Sequence, residues 1–393
     1  MTDTPPPGLS PEDPLGPLSG VAPASEDGGQ TLTFDTTLKP ASFLGLSLKN
    51  GLLNIVTLTL WRFWGKTEVR RRVWQGIRLN GDAFEYTGRG VELFVGFLLA
   101  LLVLGIPFLL VIFLAQTQGP LVAPLIILPL EIFLFWLLGF GTFTAWRYMA
   151  SRTTWRGIRF RLGGSATNFG FLFLGMMLLS GLTLGWYAPT AQRTLAEAIW
   201  KSLSFGNRKV RFNMGRSEKE GVYGAFALGW FLTFLPYIAL IAAAVTFVVY
   251  MQTQGVPTAA PMPQPVPMPE STQMAIIAAI YGVMLLLMPI ILLIWAPYQA
   301  AILRSVTAGV MIDDATFKLR IKAVSLWWLT VTNLFFLLIS LGFLMPWVQA
   351  RTARYLVQRL EASGTARIDE ALQTGTGPKS GEGLADAFGF SLI

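Results

Sequence analysis

The sequence contains no cysteine and no histidine. The first absence removes thiolate nucleophiles and disulfides. The second removes haem–histidine ligation and Ser-His-Asp triads, and the two together remove Cys/His zinc sites. Charge is scarce as well: only 13% of the 393 residues are Asp, Glu, Lys or Arg, against roughly 25% in soluble domains. There is no phosphate loop or dinucleotide fingerprint, and the Gly88-Arg89-Gly90 run lacks the strand-to-helix context that would give it meaning. Chemistry would have to rest on carboxylates alone. The expectation is a non-enzymatic protein with no catalytic residues, no metal and no cofactor.

What the chain has in quantity is apolar sequence, 53% of its residues. Several runs exceed the roughly 20 residues that a spanning helix needs. Residues 93–115, 121–146, 221–251 and 273–303 read as four spans of an all-α polytopic membrane protein. The formal net charge of +8 is concentrated between the spans. Arginines flanked by tryptophans at the ends of apolar runs meet lipid phosphates rather than nucleic acid. The expected partners are therefore membrane lipids, anionic ones in particular, with oligomeric state left open.

The chain is organised around Thr57–Gly90. An apolar stretch passes Trp61 and Trp64, reaches Arg70, Arg71 and Arg72 and then Trp74, and ends in two short alternating runs around Asn80-Gly81, the dipeptide of a two-residue hairpin turn. These six residues are candidate headgroup contacts. The phrase recurs: RTTWRGIRFRLGG at 152–164 echoes RRVWQGIRLNG at 71–81 and adds Arg152 and Trp155. The phrase TLG returns near Gly185 and Gly342, with Trp61 standing where the later copies have glycine, and the third copy adds Arg351 and Arg354. Turns are expected at Gly206-Asn207 and Asp313-Asp314, so short cytoplasmic β-hairpins follow each basic stretch. If they pair across copies they form a small sheet under the helices.

The copies suggest a first repeat over about 31–151, a second over 152–303 and a partial third over 304–362. Residues 1–30, rich in Pro and acid, and 363–393, rich in Gly and Ser, read as disordered tails. Such repetition fits pseudo-symmetric transporters, and gene duplication building a scaffold fits equally.

None of the 30 basic residues falls in 116–120 or 252–272. The positive-inside rule puts these two loops outside and the N-terminus in the cytoplasm. The three TLG segments, 41–64, 166–189 and 323–350, have basic sequence at both ends. They read as re-entrant or interfacial helices broken near Gly181/Gly185 and Gly342/Pro346, although two of them are long enough to span. Glu131, inside the second span, is the candidate intramembrane polar site: either part of an ion or proton path, or a buried, hydrogen-bonded glutamate between helices.

The phrases TLTLWRFWGKTEVRRRVW, IRLNGDAFEYTGRGVELFVGF and ISLGFLMPWVQARTARYL resemble the YjgN family, catalogued as domain of unknown function 898. The resemblance covers most of 31–362. It implies a bacterial inner-membrane location, and it supplies no activity and no catalytic residues. Function is thus expected among small-solute carriers or channels and lipid-contacting factors, with a membrane scaffold that binds a partner through its cytoplasmic hairpins as the alternative.

Overall fold

Pairing between short strands, rather than helix packing alone, sets the architecture. The computed structural model describes residues 29–119, 122–218, 220–254 and 269–373. Its strands are β1 (Gln30–Thr31), β2 (Phe34–Thr36), β3 (Ile77–Leu79), β4 (Asp82–Tyr86), β5 (Thr153–Trp155), β6 (Ile158–Leu162), β7 (Leu203–Phe205), β8 (Arg208–Phe212), β9 (Val310–Ile312), β10 (Ala315–Leu319), β11 (Leu360–Ser363) and β12 (Thr365–Ala366). Strands β2 to β11 form one antiparallel sheet in strict sequence order. The first and last strands then meet, because β1 continues β2, β12 continues β11, and Thr31 pairs with Thr365. The result is a nearly closed ring of strands. An all-α reading is therefore corrected: the hairpins do not stand apart but join edge to edge, which removes the open edges that isolated two-stranded ribbons would expose.

In such a meander the links alternate between the two ends of the sheet. At one end lie tight turns: Asn80-Gly81, Arg156-Gly157, Gly206-Asn207 and Asp313-Asp314, with positive φ at Asn80, Gly81, Arg156, Gly157, Gly206 and Asp313, as two-residue hairpins demand. Every helical link leaves from the other end and returns to it. These are α1 (Leu44–Val56) with α2 (Arg62–Gln75); α3 (Gly90–Ala100), α4 (Ile106–Gln116) and α5 (Ala123–Arg152); α6 (Ala166–Leu182) with α7 (Ala188–Ser202); α8 (Met214–Glu218), α9 (Val222–Thr253) and α10 (Glu270–Gly309); and α11 (Ala323–Ile339) with α12 (Met345–Val357).

Four helices are long and apolar enough to cross a membrane: Gly90–Gln116, Ala123–Arg152, Val222–Thr253 and Glu270–Gly309. In the last two, 0% of the most apolar window is buried within the chain. Exposed apolar surface of that extent on helices of spanning length fits a lipid bilayer. These are the four expected spans, and the chain is a membrane protein.

The TLG segments differ. Helices α1, α6 and α11 are 13, 17 and 17 residues long, about 20–26 Å at 1.5 Å per residue, and each ends in a turn that starts a second helix. One backbone pattern recurs at all three. The amide of Thr59 bonds the Asn54 carbonyl at 2.6 Å, that of Gly185 the Ser180 carbonyl at 2.7 Å, and that of Gly342 the Leu337 carbonyl at 2.8 Å. The preceding residues Leu58, Leu184 and Leu341 have φ of 49°, 51° and 49°. A hydroxyl caps each turn: Thr57, Thr183 and Ser340 donate to the carbonyls of Leu53, Leu179 and Phe336.

Thr59, not Trp61, is therefore the counterpart of Gly185 and Gly342. Since β2 pairs with β3, β6 with β7 and β10 with β11, both ends of each helical hairpin lie at the same rim of the sheet. The breaks fall at Thr57–Thr59, Thr183–Gly185 and Ser340–Gly342, the last two close to the expected positions.

Candidate functional site

Alternation with period two builds the site. Along β6, Ile158 and Phe160 point into the ring while Arg159 and Arg161 are exposed, and Leu162 packs against α5, α6 and α7; along β8, Val210 and Phe212 point in while Lys209 and Arg211 are exposed. Cross-strand register extends the pattern around the ring, setting Phe34 beside Leu79, Phe84 beside Trp155, Phe160 beside Phe205 and Val210 beside Ile312. Phe160 and Phe205 have ring centroids 4.9 Å apart, and Phe34 meets Phe317 across the closing seam at 6.1 Å. The inner face is aromatic and aliphatic, and the outer face is charged and solvated.

These side chains do not fill the ring. A cavity of about 380 Å³ remains, walled by residues such as Leu79, Phe84, Phe160, Phe205, Ile312 and Phe317. The last turns of α7 and α10 bring Trp200 and Thr307 to its helix-facing end. Apolar cavities exclude water and accept apolar molecules. The volume also lies within the roughly 300–1,000 Å³ of small-molecule sites.

Residues 367–373 cross the tight-turn end of the ring. Ile368 and Ala371 are buried in its core at 4% and 5% exposure. Arg156 of the β5–β6 turn pairs with Asp369, and Arg208, the first residue of β8, pairs with Glu370 at 2.6 Å. The Leu372 amide donates to Asn207 Oδ1 at 3.1 Å, and the Arg159 amide donates to Gln373 Oε1 at 2.8 Å. The chain passes so close that a Cβ on Gly206 would collide with the Leu372 carbonyl. The expected tails are therefore corrected: residues 363–373 belong to the fold, Gln30 lies in β1, and residues 1–28 and 374–393 lie outside the described residues. The sequence signal was faint, because only Ile368, Ala371 and Leu372 are apolar among residues 367–373.

The structure divides the predicted headgroup contacts. Arg71 and Arg72 are exposed, and Trp61 and Trp64 stack at 6.0 Å on the surface of α2, with Trp61 Nε1 donating to Asn50 Oδ1 at 3.1 Å. Arg70 is turned inward, 5% exposed, with its guanidinium over the Tyr86 ring. Trp74 packs on Tyr86 and donates to Thr153 Oγ1 at 3.0 Å; Arg152 pairs with Glu92 at 3.1 Å.

Trp155, 1% exposed, is a wall of the cavity, not a lipid contact. The echo between RRVWQGI and RTTWRGI is out of register with the fold. Gly76 ends α2, whereas Gly157 sits in a hairpin turn, so Trp155 corresponds to Leu79 and not to Trp74. Arg351 and Arg354 lie on α12, the first half-buried and the second exposed.

Glu131 is on the outer surface of α5. It is exposed, has no hydrogen-bond or ion-pair partner among the described residues, and does not line the apolar gap between α4 and α5 that Leu130 and Leu134 face. Its placement supplies no polar path and no buried hydrogen bond.

Residues 31–387 match the family model described as a bacterial protein of unknown function, DUF898. The chain belongs to the DUF898 family. No curated protein and no solved structure matches it. For this DUF898 member the ring of strands and its cavity are the features on which a functional reading stands.

Proposed function

We propose that this DUF898 protein is a non-enzymatic, lipid-contacting factor of the bacterial inner membrane whose strand ring takes up an apolar molecule of acyl-chain character. The observation that carries this reading is the apolar cavity of about 380 Å³ inside the ring, whose helix-facing end is lined by Trp200 and Thr307. An acyl chain gains about 0.8 kcal/mol for each methylene buried, so a site lined almost wholly by apolar side chains still binds. A small-solute channel finds less support, because Glu131 faces outward and the gaps near it are apolar.

The charge distribution supports a cytoplasmic ring and N-terminus: Arg78, Arg159, Arg161, Lys209, Arg211 and Lys318 all stand exposed on the outer strands, where the positive-inside rule wants them. The shared turn geometry of the three TLG hairpins supports internal repetition around the ring. The same basic face favours the rival reading, a scaffold for an acidic partner, which needs no occupant in the cavity.

The test uses the full chain in detergent with a photoreactive palmitoyl-length fatty acid. Crosslinks are expected on β7, β9 and β10, and Ile312→Trp, which fills the cavity, should reduce them at least about fivefold without lowering the thermal midpoint. Crosslinks confined to the lipid-facing surfaces of α9 and α10 would contradict the reading.

A further inference from the structure

The three TLG hairpins share a turn, but their charged faces differ. Counting from that turn, Arg351 and Arg354 of the third hairpin stand where the first has Glu68 and Arg71 and the second has Thr194 and Glu197. Glu68 is paired with Lys49 at 2.8 Å and Glu197 with Lys201 at 2.6 Å. The third hairpin has no carboxylate at either position.

Between α11 and α12, running toward the sheet rim, lies a cleft of about 420 Å³ whose walls include Ser325, Trp328, Trp347, Arg351, Arg354 and Arg359. No acidic residue lines it, and none of the three arginines has a carboxylate partner among the described residues. Arg351 is held by neutral groups, Thr332 Oγ1 at 2.8 Å and Asn333 Oδ1 at 2.9 Å, with its guanidinium 5.3 Å from the Trp347 ring centre. Arg359 donates to the Tyr355 carbonyl at 3.0 Å and lies 3.8 Å over the Tyr355 ring. Arg354 is exposed and makes no side-chain bond among the described residues. Partial burial pulls the Arg351 pKa below its usual value, which a bound anion would offset.

Neutral hydrogen bonds and ring faces hold two of the guanidiniums in place and leave their charge uncompensated. Trp328 is 58% exposed near the base of α11, where tryptophan and arginine together mark headgroup level. We propose that this cleft binds a phosphate-bearing anion, with Arg351 and Arg354 donating to its oxygens and Trp328 flanking it. The proposal is independent of the cavity reading. Two sources share the chemistry: an anionic phospholipid headgroup and a soluble phosphate.

The test is native mass spectrometry of the full chain in neutral detergent, with phosphatidylglycerol or phosphatidylcholine added. Phosphatidylglycerol should be retained about tenfold better, as one charge-assisted contact implies. Arg354→Glu should bring it to the phosphatidylcholine level, Arg354→Lys should keep most of the preference, and Lys209→Glu on the outer strands should change nothing. If millimolar inorganic phosphate leaves the retained lipid in place, the ligand is a headgroup; if it displaces the lipid with the same dependence on Arg354, the ligand is soluble phosphate. Equal retention of the two lipids, or a preference that survives Arg354→Glu, would overturn the proposal. An unchanged thermal midpoint shows that the variants are folded.

Discussion

Valine at Gly342 or Gly185 will destabilise the protein by about 2–3 kcal/mol each, and glycine at Thr59 will stabilise it by about 1 kcal/mol. The three residues occupy one position in one turn, with φ of 85°, 92° and 71°. A β-branched side chain in that region crowds its own backbone. Glycine enters it freely, although its gain is trimmed by the larger entropy lost on folding. Thr59 is exposed and its hydroxyl makes no hydrogen bond among the described residues, so its replacement removes no contact. Thermal unfolding of purified protein reads both signs. Equal effects of Thr59→Gly and Gly342→Val would show that the turns are not equivalent.

Removing residues 367–393 will have the second large effect. It exposes Ile368 and Ala371, which at ~25 cal/mol per Å² contribute about 2–3 kcal/mol. The Arg156–Asp369 and Arg208–Glu370 pairs are partly exposed and add little. The cut leaves the Thr31–Thr365 seam intact, so the ring should stay closed while its mouth opens. The expected signature is a lower thermal midpoint together with a several-fold rise in binding of a hydrophobic dye. A rise that Ile312→Trp suppresses locates the dye in the cavity. An unchanged midpoint and unchanged dye binding would mean that the segment does not seal the ring.

Local features were legible in the sequence, and long-range ones were not. The apolar runs gave all four spanning helices, and Asn80-Gly81, Gly206-Asn207 and Asp313-Asp314 each gave a turn, because such signals depend on neighbours in sequence. The breaks in the TLG segments were also readable, except in the first copy, where Thr59 carries no glycine signature and the eye moves to Trp61.

Ring closure was not readable. Strands of two to five residues have little pattern of their own, and the seam joins Thr31 to Thr365. Trp155 shows the consequence: beside arginines it has the composition of a membrane-interface anchor, and only the register with Phe84 and Ile158 turns it into the wall of a cavity. Arg70 failed likewise, since burial over Tyr86 depends on where β4 lies. Arg351 and Arg354 were named from sequence, but the missing carboxylate in their cleft became visible only once the shared turn aligned the three hairpins.

With every helical link rising from one rim, a cytoplasmic ring places the tips of the spanning hairpins across the bilayer from its outer face. Single cysteines at Thr117 and Thr253, at the far tips of the spanning hairpins, and at Arg161, Lys209 and Lys318, on the outer face of the ring, can be introduced into a chain that has none of its own. An impermeant thiol reagent applied to intact cells should label the two tips and none of the three ring positions, and all five should react once the membrane is permeabilised. Labelling of Arg161, Lys209 or Lys318 from outside would contradict the account.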